Sequence, residues 1–225
     1  MDPWKQHFNQ YLVALTQLFE ADRAKLRFGR STIAASDVAE QFSCEKKVEM
    51  QYLRGEIESE AKLAGTEAHE KLLEDTVQVK REEMWQKIYG KDPVLALETL
   101  FFAQVKDVVI AGKPDSILFR DGYPLVIFEY KFSKNQNAYM THHVQARTYG
   151  LLLESAGFNA SYLHYAIVVA DPKARLDKTL EKRVAAAIGK NGLKDAVLEI
   201  ENAKIYLSRY QRVDAERDLD WAIKF

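Results

Sequence analysis

Residues 112–134 read GKPDSILFRDGYPLVIFEYKFSK, and the inner run PLVIFEYKF (residues 124–132) resembles a buried β-strand except for its two charges. Successive strand residues point to opposite faces, so Leu125, Ile127, Glu129 and Lys131 share one face while Val126, Phe128, Tyr130 and Phe132 share the other. A carboxylate and an ammonium therefore stand side by side within an apolar run. Upstream, Asp115 falls on the same side of its strand as Ile117 and Phe119, where an apolar residue would be easier to bury. If the two strands are neighbours, two carboxylates and a lysine meet on one sheet face. The carboxylates would repel, and one would tend to bind a proton, unless a divalent cation lay between them. Carboxylate oxygens are what magnesium and manganese favour. A plain Glu129–Lys131 ion pair, with Asp115 facing solvent, explains each residue singly. Such surface pairs contribute only about 0–1 kcal/mol and need no Ile or Phe beside them.

Working outward, Val94 opens three apolar or alternating runs, VLALETLFFAQV, KDVVIAGKPDSILF and PLVIFEYKF, divided by turn residues such as DGYP. They read as three consecutive strands in a meander. Before them lie helical patterns. Pro3 follows Asp2 at a helix start, with Phe8, Leu12, Leu15, Leu18 and Phe19 at helical spacing up to about Arg27. A second helix opens at Ser36 as N-cap and ends near Gly55, and a third pattern covers residues 59–88 with Leu63, Leu72, Leu73, Val77 and Trp85 facing inward. After the strands, residues 138–156 return to helical period, SYLHYAIVVA is a fourth strand, residues 176–201 hold one broken or two short helices around Gly189 to Gly192, and KIYLSRY is a late edge strand. The order predicts an α/β fold, with a central mixed β-sheet flanked by helices and an N-terminal helical region.

The 225 residues, 47% hydrophobic and 29% charged, fit one domain over 1–225: a mainly helical part (1–92), a core with the charged strands (93–170), and C-terminal helices with an edge strand (171–225). A formal net charge of −1 gives no global basic field, so any polyanion site is a local patch. The single cysteine, Cys44, rules out an intramolecular disulfide framework and fits a reducing compartment. The N-terminus reads as an amphipathic helix and not a secretion signal, and no stretch has the apolar length of a membrane span. The expectation is a soluble, cytoplasmic protein without a membrane partner.

The order Pro114-Asp115, hydrophobic connection, Glu129-x-Lys131 resembles the PD-(D/E)xK nuclease superfamily. Gly65-Thr66-Glu67-Ala68-His69 upstream and Gln145-Ala-Arg-Thr-Tyr149 downstream resemble its RecB-like branch, over roughly residues 36–169. Within that branch the length and the segment SCEKKVEMQYLRG are similar to the CRISPR-associated RecB-type exonucleases. Those proteins commonly add three more cysteines that hold an iron–sulfur cluster. One thiolate cannot supply four ligands, so no iron–sulfur cluster is expected here.

The resemblance implies a restriction-endonuclease-like core and a metal-dependent deoxyribonuclease, an exonuclease acting on single-stranded DNA or DNA with single-stranded ends. It makes His69, Asp115, Glu129 and the Tyr130 main-chain carbonyl ligands of Mn2+ or Mg2+, with Lys131 beside the attacking water. Gln145 and Tyr149, four apart on one helix face, would hold Lys131 or a phosphate. Glu98 is either an added acid near the metal or a surface residue, and His142 and His143 either touch substrate or start a solvated helix. Candidates for DNA contact are Lys46, Lys47, Arg54, Lys113 and Lys134, with Tyr52 and Tyr139 as stacking surfaces. CRISPR integration proteins are the implied partners. The alternatives are a stand-alone DNA-repair nuclease and, in a different class, a non-catalytic DNA- or protein-binding module on a nuclease fold.

Overall fold

The computed structural model describes residues 2–21, 27–55, 66–70, 79–105, 107–177, 179–191 and 195–223. A helix α1 (Pro3–Glu20) leads to a short strand β1 (Thr32–Ala34), then helices α2 (Ala35–Ser43), α3 (Glu45–Arg54) and α4 (Arg81–Ile88). Strands β2 (Val94–Leu97), β3 (Phe101–Val105), β4 (Val108–Gly112), β5 (Ser116–Arg120) and β6 (Tyr123–Phe132) follow. The chain continues through α5 (Met140–Ser155), β7 (His164–Ala170), α6 (Leu180–Asn191), β8 (Asp195–Ile200), β9 (Ala203–Arg209) and α7 (Arg212–Ile223).

Six strands form a mixed sheet in the order β2-β5-β6-β7-β9-β8, and β1-β4-β3 form a second, smaller sheet. Among the described strands of the larger sheet only β6 and β7 run parallel, joined across α5, which is the crossover that parallel neighbours require. Strand β7, HYAIVVA, is buried along its whole length, so it carries no polar alternation.

The three predicted strands are in fact five. Both of the first two runs break at the same level: Leu97 pairs with Ser116 on one side of the break, and Phe101 with Gly112 on the other. At the break Glu98 takes a left-handed φ of 43°, and its N–H donates to the Asp115 carbonyl over 3.1 Å. One long hairpin thus bends out of the large sheet into the small one, and Glu98 and Asp115 sit at the bend.

Other boundaries shift for local reasons. The second helix splits at Cys44, whose backbone is extended, and its N-cap is Ala34, not Ser36, because the Asp37 carboxylate accepts the Ala34 N–H at 2.8 Å. Helix α1 ends at Glu20 and turns Tyr11 inward, while Leu12 and Phe19 remain exposed. Of the inward residues expected in 59–88, Trp85 is fully buried; Leu63, Leu72, Leu73 and Val77 lie outside the described residues. Helix α6 runs through Gly189, residues 195–200 form a strand where a helix was expected, and β9 is an interior strand between β7 and β8 and not an edge.

Each sheet face has its own core. Ile117, Phe119, Ile127, Tyr165, Ile167 and Val169 pack with α1, α2, α4, α5 and α7, whereas Leu118, Val126, Phe128, Tyr130, Ala166 and Val168 pack under Leu180 and Val184 of α6. Helix α1 docks through an aromatic group: Trp85 stacks with Tyr11 (5.2 Å) and meets His7 edge-on (4.5 Å).

His7 spans this junction. Its Nδ1 lies 2.5 Å from the Tyr89 hydroxyl and its Nε2 2.7 Å from the Ala156 carbonyl. A carbonyl only accepts, so Nε2 carries the proton and Nδ1 receives the Tyr89 O–H. Burial lowers the His7 pKa below its usual 6.5, partly opposed by the Ala156 carbonyl. The unfolded chain therefore binds this proton first as pH falls, and the stability that neutral His7 contributes is present above about 6.5 and lost below it. The difference in unfolding free energy between the parent and His7→Gln, measured in denaturant, is expected to shrink from pH 7 to pH 5. A constant or growing difference would contradict this.

Candidate active site

The hairpin bend delivers Asp115 to the edge of β6. The Tyr130 N–H donates to Asp115 Oδ2 over 2.7 Å, and the other oxygen, Oδ1, lies 3.1 Å from Nε2 of His69. Residues 66–70 are helical and present His69 to this carboxylate; Gly65 lies outside the described residues. The imidazole contact is poorly aligned for a hydrogen bond. Even so, the Asp115 pairing is the largest influence on His69 and raises its pKa against the effect of burial, with help from the charges of Asp115, Glu98 and Glu129. Glu98 completes the bend: Oε1 lies 4.0 Å from His69 Nδ1 and Oε2 accepts from Lys113 Nζ at 3.0 Å.

Glu129 is only 2% exposed. One oxygen, Oε1, accepts from Lys131 Nζ over 2.6 Å, while Oε2 is buried with no hydrogen-bond partner among the described residues. Leaving a buried acceptor unpaired costs about 1–3 kcal/mol, and more for a charged one. Burial, then the charge of Asp115, pushes the Glu129 carboxyl up to about 7, with Lys131 and His69 opposing. Lys131 is subject to burial, which disfavours its charge, but Glu129, Asp115 and Glu40 together outweigh this and raise its pKa. The ammonium also donates to Gln145 Oε1 at 3.2 Å, and Gln145 Nε2 donates to the Tyr149 hydroxyl at 2.7 Å. A relay of contacts therefore runs from β6 along one face of α5.

The surrounding helices add what the sequence reading missed. Glu40 of α2 lies close enough to Lys131 to act on it electrostatically, and its Oε2 is paired with Lys47. Its place in the first turns of a helix carries no local signal of that proximity. His142 and His143, adjacent in sequence, are parted by α5. His142 Nδ1 accepts the Tyr139 N–H at 3.2 Å, and burial, then Lys131 and His143, pulls its pKa down to about 4, so it stays neutral beside the lysine. His143 instead contacts the Tyr165 hydroxyl (3.3 Å), and burial lowers its pKa too.

Among the proposed nucleic-acid contacts, Lys46 pairs with Glu49 (2.7 Å), Lys47 with Glu40 and Lys113 with Glu98, while Arg54 and Lys134 are exposed. Tyr139 is exposed and accepts from Asn135 Nδ2 (2.7 Å). Tyr52 is engaged with Asp37 through its hydroxyl and with Arg30, 4.6 Å above its ring.

Among the described residues no group of three His, Cys, Asp or Glu side chains is drawn in tightly enough to ligate an ion as it stands. The donor set nevertheless fits one. Glu129 Oε2 offers an oxygen that no group among the described residues satisfies, and Asp115 and His69 add the oxygen and nitrogen donors that manganese accepts. Gly112 shows how tightly α5 is set against this corner: a Cβ there would lie 2.4 Å from Leu152 Cδ1 and 2.9 Å from the Tyr149 ring. Gly112→Ala is expected to lower unfolding free energy by about 1–3 kcal/mol in denaturant titration. An unchanged midpoint would show that Tyr149 and Leu152 move freely.

Residues 10–218 match the family model of the PD-(D/E)XK nuclease superfamily. No curated protein matches. Among solved structures, the crystal structure of SSO0001 is 13% identical, with a TM-score of 0.42 over 95% of this chain and 83% of that one. No helix among the described residues is long and apolar enough to cross a membrane. The central mixed sheet flanked by helices is consistent with a restriction-endonuclease-like fold, and the family match spans most of the chain. The chain belongs to the PD-(D/E)XK nuclease superfamily.

Proposed function

We propose that this nuclease is a metal-dependent DNA exonuclease of the RecB-like type, hydrolysing phosphodiester bonds of single-stranded DNA or DNA ends at the corner formed by His69, Asp115, Glu129 and Lys131. The observation that carries the reading is the buried Glu129 Oε2, without a hydrogen-bond partner among the described residues, beside a carboxylate already tied to the Tyr130 amide and an imidazole. A fold gains no stability from such a group, and a non-catalytic binding module has no use for it.

PD-(D/E)XK nucleases use divalent metals such as magnesium or manganese. His69, Asp115, Glu129 and the Tyr130 carbonyl would hold the ion, which when bound activates water and offsets charge on the phosphate. The remaining work falls to the chain itself. Lys131 stays cationic, orients the nucleophile and donates to the phosphate as negative charge builds there. Gln145 holds the ammonium by its carbonyl oxygen, and Tyr149 fixes the Gln145 amide so that this oxygen faces the lysine. Neutral His142 leaves the lysine as the cation on that side of α5.

The preference for single strands and ends rests on the likeness of the Gly65–His69 and Gln145–Tyr149 segments to the RecB-like branch. A role in CRISPR spacer acquisition, with CRISPR integration proteins as partners, rests on the likeness of SCEKKVEMQYLRG; a stand-alone repair nuclease would use the same chemistry.

Labelled single-stranded DNA is expected to lose nucleotides in manganese or magnesium and not in EDTA. Lys131→Met should reduce turnover by a factor of about 100 or more, as loss of a transition-state contact does, and still show the manganese-induced rise in melting temperature. Near-normal turnover of that variant, or wild-type protein indifferent to metal, would defeat the reading.

A further inference from the structure

On the face of β6 opposite Glu129 and Lys131, Tyr130 points into the second core, 6% exposed, its ring near-parallel to Phe128 with centroids 6.5 Å apart. Its hydroxyl donates to Glu181 Oε1 over 2.5 Å. Glu181 lies in the first turn of α6, between Leu180 and the next buried position, Val184. An acid in a first turn suits the helix N-terminus, but this one also turns toward the core. Apart from the buried Ser116, whose hydroxyl also acts on the Tyr130 phenol, the neighbouring core side chains are apolar, and a Phe at 130 with a Leu at 181 would bury no acid there. Burial and the Glu181 charge keep the Tyr130 phenol protonated, so it remains a donor.

The Tyr130 main chain is also the joint of the active corner. Its N–H holds Asp115 Oδ2, and its neighbours on either side are Glu129 and Lys131. The ladder to β5 ends at Phe128, so at Tyr130 the strand is held within the plane of the sheet by β7 on one side and by the Asp115 carboxylate on the other. Displacement perpendicular to that plane is restrained by side chains: Lys131 is tied to Gln145 of α5 on one face, and Tyr130 to Glu181 of α6 on the other. We infer that Tyr130 and Glu181 are a positioning pair, which fixes the Tyr130 peptide from behind the sheet and so sets the spacing of Asp115, Glu129 and Lys131. The inference rests on the nuclease reading above and adds α6 to the parts that reading requires.

Tyr130→Phe keeps the ring and removes the donor; Glu181→Leu removes the acceptor at a partly exposed position; Glu181→Gln keeps an acceptor. Tyr130→Phe and Glu181→Leu are expected to lower kcat on labelled single-stranded DNA roughly tenfold with KM unchanged, the effect typical of a group supporting metal ligands. Both should also weaken manganese binding roughly tenfold in calorimetric titration without DNA, and Glu181→Gln should restore most of both. Wild-type kcat and manganese affinity in folded Tyr130→Phe and Glu181→Leu, with only a lower melting temperature, would overturn the inference and leave a plain core hydrogen bond. If Tyr130→Phe does not fold, Glu181→Leu carries the same test alone. Failure of the nuclease reading shows differently: the wild type would then lack metal-dependent hydrolysis, and the inference would fall with it.

Discussion

The hydrogen bond from the Tyr130 amide to Asp115 holds the site together. Without it the bend at residues 98–100 and 113–115 would be tied to β6 only through the end of the β5 ladder, at Ser116 and Phe128, and Asp115 would lose its fixed place beside Glu129. An Asp at such a position is expensive to bury, and the amide meets only one of its two oxygens. The other faces His69, which brings the helical segment at 66–70 to the same point. Strand β6, the hairpin and that segment thus converge on one carboxylate. The proposed ion site lies where they meet.

The charged strand itself was legible from alternation alone. Glu129 and Lys131 do share a face, with Tyr130 opposite, because a period of two admits no other arrangement once β6 is buried on both sides. The Gln145–Tyr149 pairing was equally readable, since four-residue spacing on a helix puts the two on one face. What alternation could not show is where a strand stops. The run through Glu98 has no Gly or Pro at the bend, and Glu98 adopts a left-handed φ that its residue type does not advertise; in the run through Asp115 the break was marked by Gly112 and Pro114, a signal that apolar alternation on both sides of it masked.

The C-terminal misreadings have a different origin. In β9, Lys204, Tyr206 and Ser208 alternate with the buried Ala203, Ile205 and Leu207, a half-polar pattern that reads as an edge. It is interior because β8 adds outside it, with the same one-sided burial. The part of the sheet beyond β7 is covered on one face by α6 and left more open on the other, so polarity there reports the uncovered face and not the strand's position. Glu40 and Glu181 were unreadable for a related reason. Each sits in a helix whose own pattern explains it, and only tertiary packing brings one toward Lys131 and the other to Tyr130.

The central claim is that Glu129 Oε2 lacks a partner among the described residues because an ion is its partner. Anomalous diffraction from crystals of the protein soaked in manganese tests this most directly. The account predicts an anomalous peak in contact with Glu129 Oε2 and an oxygen of Asp115, with His69 turned onto it. Manganese bound elsewhere in protein that hydrolyses DNA, with Glu129 Oε2 still free, would contradict it.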